Sequence, residues 1–134
     1  MLGDPVGFVD PEGLEPDKNK VYTCTSFYPQ ELFHGFVCAG GICTGLYPRA
    51  GSWPLGDKTG LLKDDTKDFD NDRYDCQEEK PTGKECNLEL YRNCVFQFVN
   101  DRGSTDFGYD VTFRQCRTWA WSIKSACREV ANCD

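Results

Sequence analysis

One histidine and nine cysteines are the side chains of this 134-residue chain best suited to nucleophilic chemistry. A thiol attacks a carbonyl as thiolate, so it needs a base for its proton and a local field that favours the anion. The exposed N–H groups at a helix N-terminus supply part of that field. Cys116 stands where the last helix-patterned segment begins, after the extended run Tyr109-Asp110-Val111-Thr112-Phe113-Arg114-Gln115. His34 lies in strand-like sequence, after Leu32-Phe33 and before Gly35-Phe36-Val37. A lone histidine is most often a hydrogen-bonded core or surface group. Here it is the sole imidazole, so any Cys/His chemistry must use it. A nucleophile at a helix start with its base on an adjacent sheet is the layout of a thiol hydrolase. Cys116 is therefore the expected nucleophile and His34 the expected base, with no cofactor.

Setting Cys116 aside leaves Cys24, Cys38, Cys43, Cys76, Cys86, Cys94, Cys127 and Cys133, an even set of eight. These can form four bridges, whose connectivity sequence does not fix. A Cys116–Cys127 bridge is excluded by helix geometry, because eleven residues along a helix span about 16 Å. Such cysteine density belongs to an oxidising compartment. Zinc is not expected: only Cys38 and Cys43 approach knuckle spacing, and one histidine is too few for a mixed site. Asp68, Asp70, Asp72 and Glu79 follow the spacing of an EF-hand calcium loop. Its sixth position should be glycine but is Arg73, and no helix pattern flanks it. A solvated acidic face is the expected role of this stretch, with bound calcium as the alternative.

Apolar content of 39% with 13% aromatics supports one folded core rather than a disordered chain. A net charge of −7 with no dense basic stripe argues against a nucleic-acid partner. No apolar run approaches the roughly 18 residues a membrane span needs. Met1-Leu2-Gly3-Asp4-Pro5 has neither the basic start nor the apolar stretch of a cleavable signal, so no export signal is expected there.

The elements that must position the pair follow from local pattern. Residues 1–19, rich in glycine and proline without a period, read as a linker, and the domain as residues 20–134. Residues 21–28, 32–39 and 42–47 are β-branched and aromatic and read as strands. The last two are joined at Ala39-Gly40-Gly41. A three-residue connection pairs 38 with 42 and so 34 with 46. Leu46 is apolar, and Thr44 is the nearest polar neighbour able to orient the imidazole. The site is thus a dyad, or uses Thr44, or takes its third group from elsewhere. Residues 49–87 read as a loop with an acidic centre that Cys76 and Cys86 could pin. Residues 88–99 read as a long strand with Leu88, Leu90, Cys94, Phe96 and Phe98 on one parity. Residues 116–131 read as a helix with an apolar stripe of Trp119, Ile123, Ala126, Cys127 and Val130. The expected class is α+β, an antiparallel sheet packed on a C-terminal helix and rich in disulfides.

Two stretches carry resemblances. Asp4-Pro5-Val6-Gly7-Phe8-Val9-Asp10-Pro11-Glu12-Gly13-Leu14 resembles the end of the core of rearrangement-hotspot (Rhs) repeat proteins, where a D-P-x-G-L element marks the junction with a variable toxin. That element is Asp10 to Leu14, and the resemblance implies a processing junction after Leu14 with Glu15 as first toxin residue. The second upstream aspartate element is absent, so self-cleavage is not expected. The body is similar to circularly permuted papain-like hydrolases, through Leu32-Phe33-His34-Gly35-Phe36-Val37, Gly45-Leu46-Tyr47-Pro48 and Tyr109 to Trp119. Gln115 stands where that family has asparagine before its cysteine.

The resemblance implies a permuted papain-like fold and a secreted antibacterial effector, often exported by a type VI machine and delivered into a rival cell. It further implies Cys116 as nucleophile and His34 as base, with Gln115 and the Cys116 backbone N–H as oxyanion donors. The expected activity is cysteine-dependent hydrolysis of an amide or peptide bond. Peptidoglycan leads as substrate because disulfides favour the periplasm, with a protein or a lipid acyl ester as the other targets. Its partners would be a cognate immunity protein and the Rhs cage of the parent chain. The rival readings are a nuclease-type toxin and a non-enzymatic, disulfide-rich binding or membrane-active module.

Overall fold

Short β-branched and aromatic runs build a sheet here, and two amphipathic segments cover one of its faces. The computed structural model describes residues 15–26, 34–48, 60–105 and 116–134, without the side chains of Pro48, Ser104, Thr105, Cys116 and Arg117. In chain order the elements are β1 (Val21–Ser26), β2 (Gly35–Ala39), β3 (Ile42–Pro48), β4 (Gly60–Asp64), β5 (Tyr74–Glu79), α1 (Leu88–Asn100), β6 (Gly103–Thr105) and α2 (Cys116–Val130). The sheet order is β5-β1-β2-β3-β4-β6, and every neighbouring pair is antiparallel. The fold is α+β, as the sequence predicts.

Alternation along the strands gives the sheet two different faces. Val21, Val37, Ala39, Leu46 and Leu62 point to the helices and pack with Tyr91, Val95 and Val99 of α1 and Trp119, Ile123 and Cys127 of α2. Cys24, Phe36, Cys38 and Cys43 point the other way, against Tyr22, Phe69 and Tyr74. The bridges respect this division. Cys94–Cys127 ties α1 to α2, and Cys86–Cys133 ties the approach to α1 to the segment after α2. Cys24–Cys76 and Cys38–Cys43 each join residues directly opposite on neighbouring strands. Four bridges take eight of the nine cysteines, and Cys116 is the one outside them.

Three sequence expectations need correction. Residues 88–99 form a helix, not a strand. Tyr91, Val95 and Val99 recur every four residues and are buried, whereas Leu90 and Phe98 of the strand-like parity are 41% and 44% exposed. Asn87 starts the helix by accepting the Leu90 N–H at 3.1 Å, satisfying a donor that the first turn leaves unpaired. Residues 49–87 are not one loop, because β4 and β5 lie within them. Their pairing partners β3 and β1 are distant in sequence, and β5 is an edge strand whose charged residues keep it from pairing further.

The β2–β3 hairpin is one residue shorter than expected. Cys38 pairs with Cys43 and Ala39 with Ile42, leaving a two-residue turn at Gly40-Gly41. Both glycines have positive φ (63° and 87°), which this tight turn requires and other residues resist. This register places residue 34 opposite Tyr47 rather than Leu46. A one-residue slip moves a side chain to the other face, so His34 and Thr44 lie on opposite faces of the sheet. Thr44 donates to the Val99 carbonyl at 2.5 Å, on the helix side. It does not orient the imidazole.

The C-terminal helix starts at Cys116, as its pattern predicts. Trp119, Ile123 and Cys127 form its buried stripe with Ala120, while Val130 is 56% exposed. Lys124 and Arg128 reach Glu79 of β5 at 3.4 and 3.6 Å. That removes Glu79 from any calcium loop. Among the described residues no group of three or more His, Cys, Asp or Glu side chains gathers as a metal site. No described helix is long and apolar enough to cross a membrane.

Candidate functional site

The helix-free face holds the polar cluster. His34 immediately precedes β2, and its carbonyl extends the β1–β2 ladder by accepting the Ser26 N–H at 2.8 Å. Backbone pairing thus fixes where the imidazole leaves the chain. The ring lies over β3, with its centroid 4.5 Å from that of Tyr47. Tyr74 of β5 meets it edge-on at 6.3 Å. His34 is 8% exposed.

One polar partner of the imidazole is Asp65. The Nε2 atom of His34 lies 3.0 Å from Asp65 Oδ2, and both side chains are buried. Asp65 follows β4, and its own N–H donates to the Cys43 carbonyl at 2.9 Å. One residue on, Thr66 Oγ1 accepts the Cys43 N–H at 2.9 Å. Both backbone groups of Cys43 therefore hold the segment that presents Asp65. The second carboxylate oxygen, Oδ1, accepts the Tyr47 hydroxyl at 2.5 Å. Burial, then the negative charge of Asp65, push the Tyr47 phenol well above its ordinary range, so it stays a donor.

Gly45 makes room for this contact. It lies beside Tyr47 in β3 and faces the same side. A Cβ there would fall on Asp65 Oδ2 and within 2.8 Å of His34 Nε2. Lys63, opposite Gly45 in β4, carries its ammonium 5.2 Å from the Tyr47 ring centroid. Among the described residues the site thus has a base candidate, a buried carboxylate that engages it, a phenol that holds the carboxylate, and Lys63 at its rim.

Cys116 is the first residue of α2. The helix runs from Trp119, which lines a groove with Leu62, to Arg128, which pairs with Glu79. Leu62 is level with Leu46 of β3, and Glu79 with Val21 of β1. The N-terminus of α2 is therefore directed to the sheet end where β2 begins, the end that carries His34, on the opposite face from the imidazole. The Cys116 side chain and Gln115 lie outside the described residues, as do Asp10 and Leu14 of the junction and the run 109–115.

Asp65 and Tyr47 are the residues sequence reasoning missed. Asp65 lies 31 positions from His34 in the acidic stretch, and only the β3–β4 register brings it back. Tyr47 is recoverable from sequence once the turn is taken as Gly40-Gly41 alone. Comparison with protein families, with curated proteins and with solved structures finds no match.

Proposed function

We propose that the chain is a secreted antibacterial effector domain that hydrolyses an amide or peptide bond through Cys116, with His34 as its base. The observation that carries this reading is the buried hydrogen bond between His34 Nε2 and Asp65 Oδ2. A buried carboxylate against the sole imidazole favours its protonated form and fixes its direction, as a general base requires. The four bridges add support, because they leave one cysteine over and it opens a helix.

In this reading the Cys116 thiolate adds to the substrate carbonyl carbon while His34 holds its proton. The tetrahedral oxyanion is met by the Cys116 N–H and the Gln115 side chain. The C–N bond then breaks, His34 returns the proton to the leaving amine, and water hydrolyses the thioester. Four disulfides suit an oxidising compartment, which keeps peptidoglycan in the periplasm as leading substrate. Delivery by an Rhs cage and a cognate immunity protein that blocks the cleft complete the proposal. The permuted papain-like architecture is its fold-level part.

Alkylation of the folded, non-reduced protein followed by mass spectrometry tests the nucleophile. One modified cysteine, Cys116, is the expected result. Release of amine or peptide from purified sacculi should then vanish in Cys116→Ala and His34→Ala. Finding Cys116 unreactive and its alanine variant fully active would overturn the reading.

One observation favours a second reading. The imidazole, Tyr47 and Lys63 share the helix-free face, while α2 packs on the other. His34 could there act as base without a thiol, on a phosphodiester bond, as a nuclease-type toxin does. RNA or DNA cleavage that survives Cys116→Ala and is lost in His34→Ala would establish it.

A further inference from the structure

We propose that Tyr47 is a positioning residue that aims the Asp65 carboxylate at His34 and thereby tunes the proton affinity of the imidazole. The proposal deepens the hydrolase reading and rests on it only for what the imidazole then does.

The geometry supplies each step. Asp65 Oδ1 accepts the Tyr47 hydroxyl at 2.5 Å, and Oδ2 faces His34 Nε2 at 3.0 Å. Tyr47 restricts rotation of the carboxylate, since turning it breaks both bonds together. The phenol stays protonated across the working pH range because burial and the Asp65 charge both oppose its ionisation.

Among the described residues, the titratable or charged groups facing this cluster are few. Tyr47 and Lys63 come from β3 and β4, Tyr74 from β5, and Asp65 and Asp68 from the segment between β4 and β5. Asp65 is the one hydrogen-bonded to both His34 and Tyr47. The Tyr47 hydroxyl withdraws part of that carboxylate's charge from the imidazole. Removing it leaves more negative charge facing His34, favours the imidazolium and moves its titration midpoint upward.

The test is a pH titration of the imidazole by long-range proton–nitrogen correlation spectra of isotopically labelled protein. One histidine makes the assignment unambiguous. Tyr47→Phe keeps the ring stacked on His34 and should raise the midpoint by about 0.5–1 pH unit, while Asp65→Asn should lower it by about one unit or more. An unmoved midpoint in a folded Tyr47→Phe protein would overturn the proposal. If that variant does not fold, Asp65→Asn decides, because an unmoved midpoint there would show that the carboxylate Tyr47 holds does not act on the imidazole. No substrate or thiol enters these spectra. A failure of the Cys116 experiment therefore leaves this result standing, and the reverse also holds.

Discussion

The two faces of the β2–β3 hairpin differ in what they do with a polar side chain. On the helix side, Thr44 is buried and hydrogen-bonded to the Val99 carbonyl, and Arg102 Nε donates to its hydroxyl at 3.0 Å. That contact docks α1 and the segment after it onto the sheet. On the other side, Gly45 and Tyr47 of the same strand leave room for His34 and Asp65 and hold them together. Neighbouring residues thus serve architecture on one face and a titratable pair on the other. Burial of a polar group alone does not mark a site. The marker is a group that changes protonation near neutral pH facing one that stabilises the change.

The sharpest break of this comparison is a pair of substitutions, one on each face. His34→Ala should lower the proposed hydrolysis by about 10²–10⁴-fold, the range for loss of a general base. Thr44→Val should leave turnover within about twofold but cost about 1–3 kcal/mol of stability, because it strips the hydrogen bond offered to Val99 and leaves that carbonyl unpaired. Turnover measured beside urea unfolding separates the two. Equal loss of activity in both variants would show that the faces are not independent.

The bridges extend the contrast. Replacing Cys94 and Cys127 with alanine opens a bridge of sequence separation 33 between the helices, and should cost about 4 kcal/mol. Replacing Cys38 and Cys43 opens one of separation 5 and should cost only about 2 kcal/mol. Activity should rank in the opposite order among molecules that remain folded. The backbone of Cys43 holds the Asp65–Thr66 segment, whereas Cys94–Cys127 touches only the helix side. Chemical denaturation and turnover at low denaturant measure both rankings.

Gly45→Ala tests the close approach itself. Its methyl group would displace Asp65 Oδ2 and crowd His34 Nε2, at a cost of about 1–3 kcal/mol for overpacking. The imidazole should then lose its carboxylate partner, and its titration midpoint should fall. A variant that keeps both midpoint and turnover would mean that the glycine is incidental.

The start of α2 was legible because its stripe at Trp119, Ile123 and Cys127 is regular and follows extended sequence. The cysteine arithmetic of eight plus one was legible as well, since it needed no pairing scheme. α1 is hard to read from sequence because two periodicities compete in residues 88–99. Leu88, Leu90, Cys94, Phe96 and Phe98 alternate, while Tyr91, Val95 and Val99 recur by four. Asn87 as a cap was the local signal that should have decided between them. The register error was a matter of one residue in a glycine turn, yet it exchanged Thr44 for Tyr47 as neighbour of His34 and moved the imidazole to the other face. Asp65 was beyond reach, because local pattern does not say that β4 returns to pair with β3.

The smallest effect contrasts two adjacent aspartates. Asp65 is buried in the cluster, while the side chain of Asp64 is 59% exposed. Asp64 Oδ1 accepts the Thr66 hydroxyl at 2.5 Å and the Thr66 N–H at 2.9 Å. These bonds, with Arg102 nearby, hold its carboxyl below the ordinary range. A lowered native pKa means that the folded state favours the charged form. Its contribution is therefore whole above the unfolded-state pKa of about 4, and fades as pH falls through the lowered native value. Solvent screening keeps it small, so Asp64→Asn should cost less than about 1 kcal/mol at neutral pH. The difference from wild type in urea midpoint should shrink as pH falls through that lowered native value. Turnover should stay within about twofold of wild type, because Asp64 belongs to the turn rather than to the imidazole. Loss of activity as deep as that of Asp65→Asn would instead place the turn itself in the site.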